Sequence, residues 1–430
     1  MDRGDYTEAV IEPRRLGAKD AAARIERGEL DAQALVQSCL ERIAERERAV
    51  QAWAFLSDER ALAQASREGP LRGLPVGVKD IFDTFDLPTE YGSPIYRGHR
   101  PRADAASVAL TRAAGGVILG KTVTCELATF VPAKTRNPHD LAHTPGGSSS
   151  GSAAAVADGM VPLAFGTQTA GSVIRPAAYC GVVACKPTYN LLPRAGVHPN
   201  ADSLDTVGVF ARSVEDVAFF LQALTRRSDL EGTVDRPRIG ACRTWEWDRV
   251  EPPMAAAFET AARRLDATEL ALPDSFRRLR EAHGVVIRYE NARTLADECR
   301  RFADLVDPRL RKRCDDGWAI DAADYGSALA AAQRARCLLD DAFGAHDVLI
   351  APAATGEAPE GLSSTGDVAM NVVWTLLHAP CVCLPIGRGP GRGSKGGLPL
   401  GLQVIGRIGD DARTLAAARW IESQLEDLNR

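Results

Sequence analysis

The apolar positions of this chain switch repeatedly between two spacings. Leu35, Val36, Cys39, Leu40 and Ile43 recur at the spacing of one helix face, and Asp31 stands where it would cap that helix. Arg67 to Leu74 interrupts the pattern with Gly69, Pro70 and Gly73, after which Pro75 to Phe82 reads as a strand running into a loop. A helix over about 104–114 is expected to stop at Gly115-Gly116, and Val117 to Lys121 to form a short buried strand. Helical spacing dominates 213–226 and 252–345, broken near 234–248, whereas 347–352, 379–386 and 402–406 carry the continuous apolar runs of buried strands. This alternation predicts a largely α/β architecture.

Two stretches follow neither spacing. Residues 134–151 contain the turn chemistry of Asn137-Pro138 and Pro145-Gly146-Gly147, and lead into a predicted helix of small residues from Ser152 to Met160. Gly166 to Pro176 is a second turn-rich segment, and small side chains on both would let their backbones approach closely. Gly387 to Gly397, with Arg388, Arg392 and Lys395, reads as an exposed loop and lacks the ending of a phosphate-binding loop.

Composition narrows the function classes. The 430 residues are 45% hydrophobic, enough for a large core, and carry a formal charge of −5 spread without blocks. A nucleic-acid binder would show a basic stripe, so none is expected as a partner. Met1 to Tyr6 leads into no apolar stretch and the least charged segment, 143–174, is rich in Gly, Ser and Thr; neither a signal peptide nor a membrane span is expected. Ten cysteines occur without a C-x-x-C pair, which argues against zinc and redox motifs and fits buried thiols in a cytoplasmic protein.

The chemistry concentrates in Gly146-Gly147-Ser148-Ser149-Ser150-Gly151, Thr167-Gln168-Thr169-Ala170-Gly171-Ser172 and the upstream Lys79. Serine is a poor nucleophile without a base, and none of the seven histidines sits in a recognisable motif. Lys79 is the better base, because Val76, Val78, Ile81 and Phe82 could desolvate its amine and lower its proton affinity. Plainer readings exist: glycine-serine linkers, a solvated Lys79-Asp80 pair, or a G-x-S-x-G elbow centred on Ser149. The elbow requires a strand immediately before it, where His143 to Gly146 reads as a turn.

These segments resemble the amidase signature family, whose motif runs G-G-S-S-[GS]-G, small residues, a T-x-[GA]-G-S ending and then Arg-Pro. Gly120-Lys121-Thr122, Ser203 to Gly208, Gly366-Asp367, Trp374-Thr375 and Gly397 to Gln403 extend the resemblance over about residues 20–420. The resemblance implies one large α/β/α domain with a twisted mixed sheet, residues 1–70 forming a helical region packed on a catalytic part at 71–430. It implies Ser172 as acyl-forming nucleophile, Ser148 as bridging serine held through a cis peptide, and Lys79 as base. The backbone N–H groups of Thr169, Ala170, Gly171 and Ser172 would form the oxyanion hole, and Ser149 and Arg175 would be substrate-binding. Gln168 stands where the family usually has an acid and Ala170 where it has Gly. Arg175 comes one residue late, as in the small malonamidase-like branch; it could pair with a carboxylate of a short half-amide, or simply with a buried carboxylate or backbone carbonyls near the loop. Trp374, Thr375 and His378 would lie near the pocket, and Asp205 and Arg212 would brace the loops. The expected activity is hydrolysis of a small linear amide without metal or cofactor, a homodimer being compatible with it. The alternatives are a glutaminase resembling the amide-cleaving component of an amidotransferase, and a catalytically silent scaffold.

Overall fold

The computed structural model describes residues 12–65, 68–391 and 396–429. The readings made of Met1 to Tyr6, of Arg67 and of Arg392 and Lys395 lie outside these residues. Asp31 caps the helix Ala32–Val50 by accepting from Gln33 N–H, and Leu35, Val36, Cys39 and Ile43 line its buried face.

Among the described residues, eleven strands form one mixed sheet: β1 (Trp53–Leu56), β2 (Pro75–Lys79), β3 (Val117–Thr122), β4 (Leu163–Gln168), β5 (Val183–Lys186), β6 (Thr206–Ala211), β7 (Ile239–Cys242), β8 (Thr268–Leu270), β9 (Val348–Pro352), β10 (Cys381–Arg388) and β11 (Pro399–Ile405). Their spatial order is β1-β3-β2-β4-β6-β5-β10-β11-β9-β7-β8. β2 pairs in parallel with both β3 and β4, and β7 with β8 and β9, while the remaining pairs are antiparallel. Every residue of β2, β3 and β4 is buried, as expected of strands covered by helices on both faces. The molecule is a single α/β/α domain with a mixed sheet.

No strand is expected from the sequence at β1, β4 or β6, and two short strands further along the chain also escape the periodicity. β7 lies inside the stretch that reads as a break in helical pattern, and β8 inside the stretch that reads as helical. Each has three or four residues, too few for a period to register. The segment 166–176 also divides differently from its reading: Gly166 to Gln168 finish β4, and Ile174–Cys180 is a helix. Pro176 sits in that helix's first turn, where its missing N–H costs nothing.

Alternation along β2 and β3 sends their two lysines to opposite sides of the sheet. The pairing register sets Val78 opposite Lys121 and Lys79 opposite Thr122. Asp80 therefore meets Lys121 Nζ, at 3.2 Å, and not its neighbour Lys79. Lys121 also donates to the Phe82 carbonyl at 2.8 Å, which closes the turn after β2.

Candidate active site

Lys79 ends β2 pointing at the start of the small-residue helix Ser150–Ala157. That helix consists of Ser, Gly, Ala and Val and is buried from Ser150 to Val156, so only small side chains let it lie against the sheet. Lys79 Nζ is 2.8 Å from Ser148 Oγ and 2.8 Å from Thr167 Oγ1. It has no ion pair among the described residues, and burial pulls its pKa down to about 7, opposed only weakly by Cys125 and Asp205. An amine that loses its hydration without gaining a carboxylate holds its proton poorly.

The Gly147–Ser148 peptide is cis, and the Ser148 carbonyl accepts from Cys125 N–H at 3.1 Å. Ser149 turns away from the cavity. Its hydroxyl donates to the Thr167 carbonyl and accepts from the Thr167 N–H, both at 3.3 Å, which ties the two serine-bearing segments together. This requires Gly166, because a Cβ there would lie 2.6 Å from Ser149 Oγ. No strand precedes Ser149, so the elbow geometry is absent from the described residues.

Residues 169–173 carry the chain from β4 into the helix Ile174–Cys180. Gln168 organises the turn: its Oε1 accepts from Val173 N–H (2.9 Å) and Ile174 N–H (3.0 Å), and its Nε2 donates to Thr375 Oγ1 at 2.9 Å. The N–H groups of Thr169, Ala170, Gly171 and Ser172 donate to no protein acceptor among the described residues. Ala170 lies outside the left-handed region, so its methyl group is accommodated. A Cβ on Gly171 would lie 2.5 Å from Asn371 Oδ1, which makes glycine necessary there.

The turn is held from three sides by groups remote in sequence. Thr169 Oγ1 donates to Asp205 Oδ1 at 2.6 Å, and Asp205 Oδ2 accepts the N–H of Asn200 and Ala201. Burial raises the Asp205 carboxyl to about 6 against these hydrogen bonds. Thr375 Oγ1 donates to the Ala170 carbonyl at 2.8 Å, and His283 Nε2 is 2.9 Å from the Thr169 carbonyl. Burial lowers His283 to about 4, so it is neutral and donates there as the Nε2–H tautomer. Of these braces, the sequence points only to Asp205 for the role; His283 stands in no motif, and Thr375 is expected only near the pocket.

Ser172, Thr169, Ala170 and Arg175 line a cavity of about 500 Å³, whose far wall comes from His283, Gly284, Ile287 and Arg288 on one face of the helix Leu279–Thr294. Ser172 borders the cavity at 8% exposure, whereas Ser148 and Lys79, at 1% and 0%, are buried and do not line it. Trp374 is fully buried and does not line the cavity. His378 is engaged elsewhere, its Nε2 2.8 Å from the Ser203 carbonyl with Tyr189 stacked on the ring.

Arg175 borders the cavity, but its guanidinium is committed to the protein. It donates to the carbonyls of Gly366 (3.0 Å) and Gly147 (2.6 Å) and to Thr365 Oγ1 (3.0 Å). It thus clamps the residue before Ser148 to the 365–366 loop. Arg212 does not brace the site: it donates to the Arg14 and Leu16 carbonyls and ties down the N-terminal segment. Among the described residues, no group of three His, Cys, Asp or Glu side chains could hold a metal ion.

Comparison with known proteins shows the family and the fold. The family model described as Amidase matches residues 34–415. The A subunit of glutamyl-tRNA(Gln) amidotransferase from Anaeromyxobacter sp. (strain K) is 34% identical over 480 residues, covering 96% of this chain and 97% of the relative. Among solved structures, native peptide amidase from Stenotrophomonas maltophilia superposes with a TM-score of 0.79 at 30% identity, covering 97% of this chain and 98% of that one. An inhibitor-bound protein from a vestigial complex connected with the origins of an s-triazine catabolic enzyme superposes at 0.88 with 28% identity, covering 96% and 99%.

Proposed function

The chain belongs to the amidase family and is a hydrolase acting on amide bonds, and from that premise we propose that it works through an acyl-enzyme on Ser172 with Ser148 and Lys79 as the proton relay. The observation that carries this reading is the Lys79–Ser148 contact, made by an amine with a pKa of about 7 and no acid partner. Neutral Lys79 accepts the Ser148 proton as Ser148 takes the proton of Ser172. Ser172 Oγ attacks the amide carbon, and the oxyanion rests on the unpaired N–H groups of residues 169–172. The proton returns through Ser148 to the departing nitrogen, the C–N bond breaks, and the amine leaves. Water then attacks the ester by the same relay, releasing a carboxylic acid and restoring Ser172.

Arg175 and Ser149 enter this mechanism as positioning residues. Arg175 holds the Gly147 carbonyl and Ser149 holds Thr167, so both fix the groups that Lys79 contacts. A fluorophosphonate probe should label Ser172, and Ser172→Ala should lower amide turnover at least about 10³-fold. An adduct on Ser149 would refute the assignment.

The amide itself admits a second reading. The similarity to the glutamyl-tRNA(Gln) amidotransferase component supports glutamine as substrate, with ammonia passed to a partner, better than it supports a free short half-amide. Nothing in the similarities singles out the small malonamidase-like branch. Release of glutamate and ammonia from glutamine by the purified chain, lost in Ser172→Ala, would establish the glutaminase reading.

A further inference from the structure

Nine of the ten cysteines are buried and Cys337 is exposed, and one buried pair is in contact. Cys299, on the helix Ala296–Arg301, and Cys314, on the helix Pro308–Trp318, bring their sulfurs 2.8 Å apart in a hydrogen bond. The chemistry assigned to Ser172 uses neither. The chain around them is fastened to loops remote in sequence. Glu298 Oε1 accepts from the Tyr96 hydroxyl at 2.6 Å and lies 3.3 Å from His198 Nε2, and Asp307 N–H donates to Glu126 Oε2 at 3.2 Å. Arg313, next to Cys314, lies over the Phe130 ring at 5.0 Å, and both residues line the cavity beside Ser172. The two sulfurs therefore join the ends of a segment that reaches the cavity wall.

The thiols differ in reactivity. Cys299 is 9% exposed and Cys314 1%, so a small reagent reaches Cys299 first. Hydrogen bonding to Cys314 holds Cys299 below the usual thiol range, against burial and the charges of Glu298, Asp315 and Glu126. The same bond, with burial, pushes Cys314 up. Because the thiolate is the nucleophile, Cys299 is the sulfur that attacks.

We propose that Cys299 and Cys314 are a redox-modification site, which a hydroperoxide converts into a reversible disulfide that staples the helix Pro308–Trp318 to the helix Ala296–Arg301. The Cys299 thiolate attacks one oxygen of hydrogen peroxide and the O–O bond breaks. The departing hydroxide takes up a proton, and Cys299 becomes a neutral sulfenic acid. The charge that kept the proton on Cys314 is then gone, while the Arg313 guanidinium still favours its thiolate. Cys314 Sγ attacks Cys299 Sγ, the S–O bond breaks, and hydroxide leaves as water with the Cys314 proton. Two thiols and one peroxide thus give one disulfide and two waters, and a dithiol reverses the change. Sulfurs already in contact need only a small approach to reach bonding distance.

The test uses the full chain carrying Cys337→Ser, so that no exposed thiol links two molecules. After hydrogen peroxide, alkylation and proteolysis without reduction, the peptides holding Cys299 and Cys314 should run as one linked species lighter by two hydrogens. Dithiothreitol should release both. In Cys314→Ser the oxidation should stop at Cys299, which dimedone then captures, whereas in Cys299→Ser the Cys314 thiol should stay free. Cys314→Ala and Cys299→Ala repeat the comparison without burying a hydroxyl.

Closing a loop of about 15 residues should raise Tm by about 3–6 °C. Amide exchange in the helix Pro308–Trp318 should slow at least about tenfold. Neither shift should occur in the variants that lack one partner. Both thiols still alkylated after peroxide, Cys299 carried on to sulfinic acid beside a free Cys314, or either sulfur linked to a different cysteine would overturn the site. A linked pair with Tm and exchange unchanged would overturn the staple. Neither readout involves amide turnover, so the disulfide stands or falls separately from the Ser172 mechanism.

Discussion

Lys79 loses affinity for its proton because its neighbours are hydroxyls. Ser148 and Thr167 accept hydrogen bonds but bring no negative charge, while full burial removes the water that would stabilise an ammonium. A pKa lowered to about 7 leaves the amine largely protonated, hence inactive as a base, below that pH and neutral above it. We expect kcat/KM to rise about tenfold per pH unit below 7 and to level off above it. Lys79→Arg should be nearly as inactive as Lys79→Ala, since arginine does not release its proton; retention of most activity would place the base elsewhere. At Arg175, the three hydrogen bonds to Gly147, Thr365 and Gly366 predict that Arg175→Ala lowers kcat alike for acidic and neutral amides. A loss confined to the acidic amide would return this residue to the substrate-binding role expected from its position in the sequence.

Between elements, the β2–β3 pair buries an ion pair next in sequence to Lys79. Asp80 is 2% exposed and Lys121 0%, and the two are 3.2 Å apart. Burial raises Asp80 to about 6 while Lys121 opposes the rise, so removing the lysine strands a buried carboxylate. Lys121→Met should cost about 3–5 kcal/mol of stability in denaturant unfolding, and adding Asp80→Asn should recover much of it. Full additivity of the two changes would mean that the pair does not interact. The turn after β4 obeys similar logic: Gln168→Ala leaves the buried N–H groups of Val173 and Ile174 unpaired, each costing about 1–3 kcal/mol. Activity should fall with stability there, because the same turn aims the Ser172 hydroxyl.

Across the whole molecule, the N-terminal helices are fastened by groups that do not line the cavity. Arg212, just after β6, donates to the Arg14 and Leu16 carbonyls, and Asp216 accepts the Lys19 N–H at 2.9 Å. Arg212→Ala should therefore lower thermal stability, by about 1–3 kcal/mol, with kcat per folded molecule unchanged. A kcat loss at full stability would place Arg212 among the loop braces after all. No described helix is long and apolar enough to cross a membrane.

Patterns that depend on neighbours in the chain were legible in the sequence: the Asp31 cap, the buried runs of β2, β3, β9, β10 and β11, and the two glycine-serine segments with Lys79 upstream. Local spacing determines periodicity and turn chemistry, so these survive without tertiary information. The short β7 and β8 did not, because three or four residues hold too little period and gain their identity from pairing with β9 and with each other. The partner of each charge was likewise a tertiary decision. Asp80 follows Lys79 in sequence, yet strand alternation gives it to Lys121. Arg175 follows Ser172 closely, yet its helix turns the guanidinium onto Gly147. His283 and Thr375 reach the 169–172 turn from helices more than a hundred residues away, and Arg288 and Arg313 share one cavity only because the helices Leu279–Thr294 and Pro308–Trp318 pack together. Sequence reveals which groups could do chemistry; burial and register decide which of them remain free to do it.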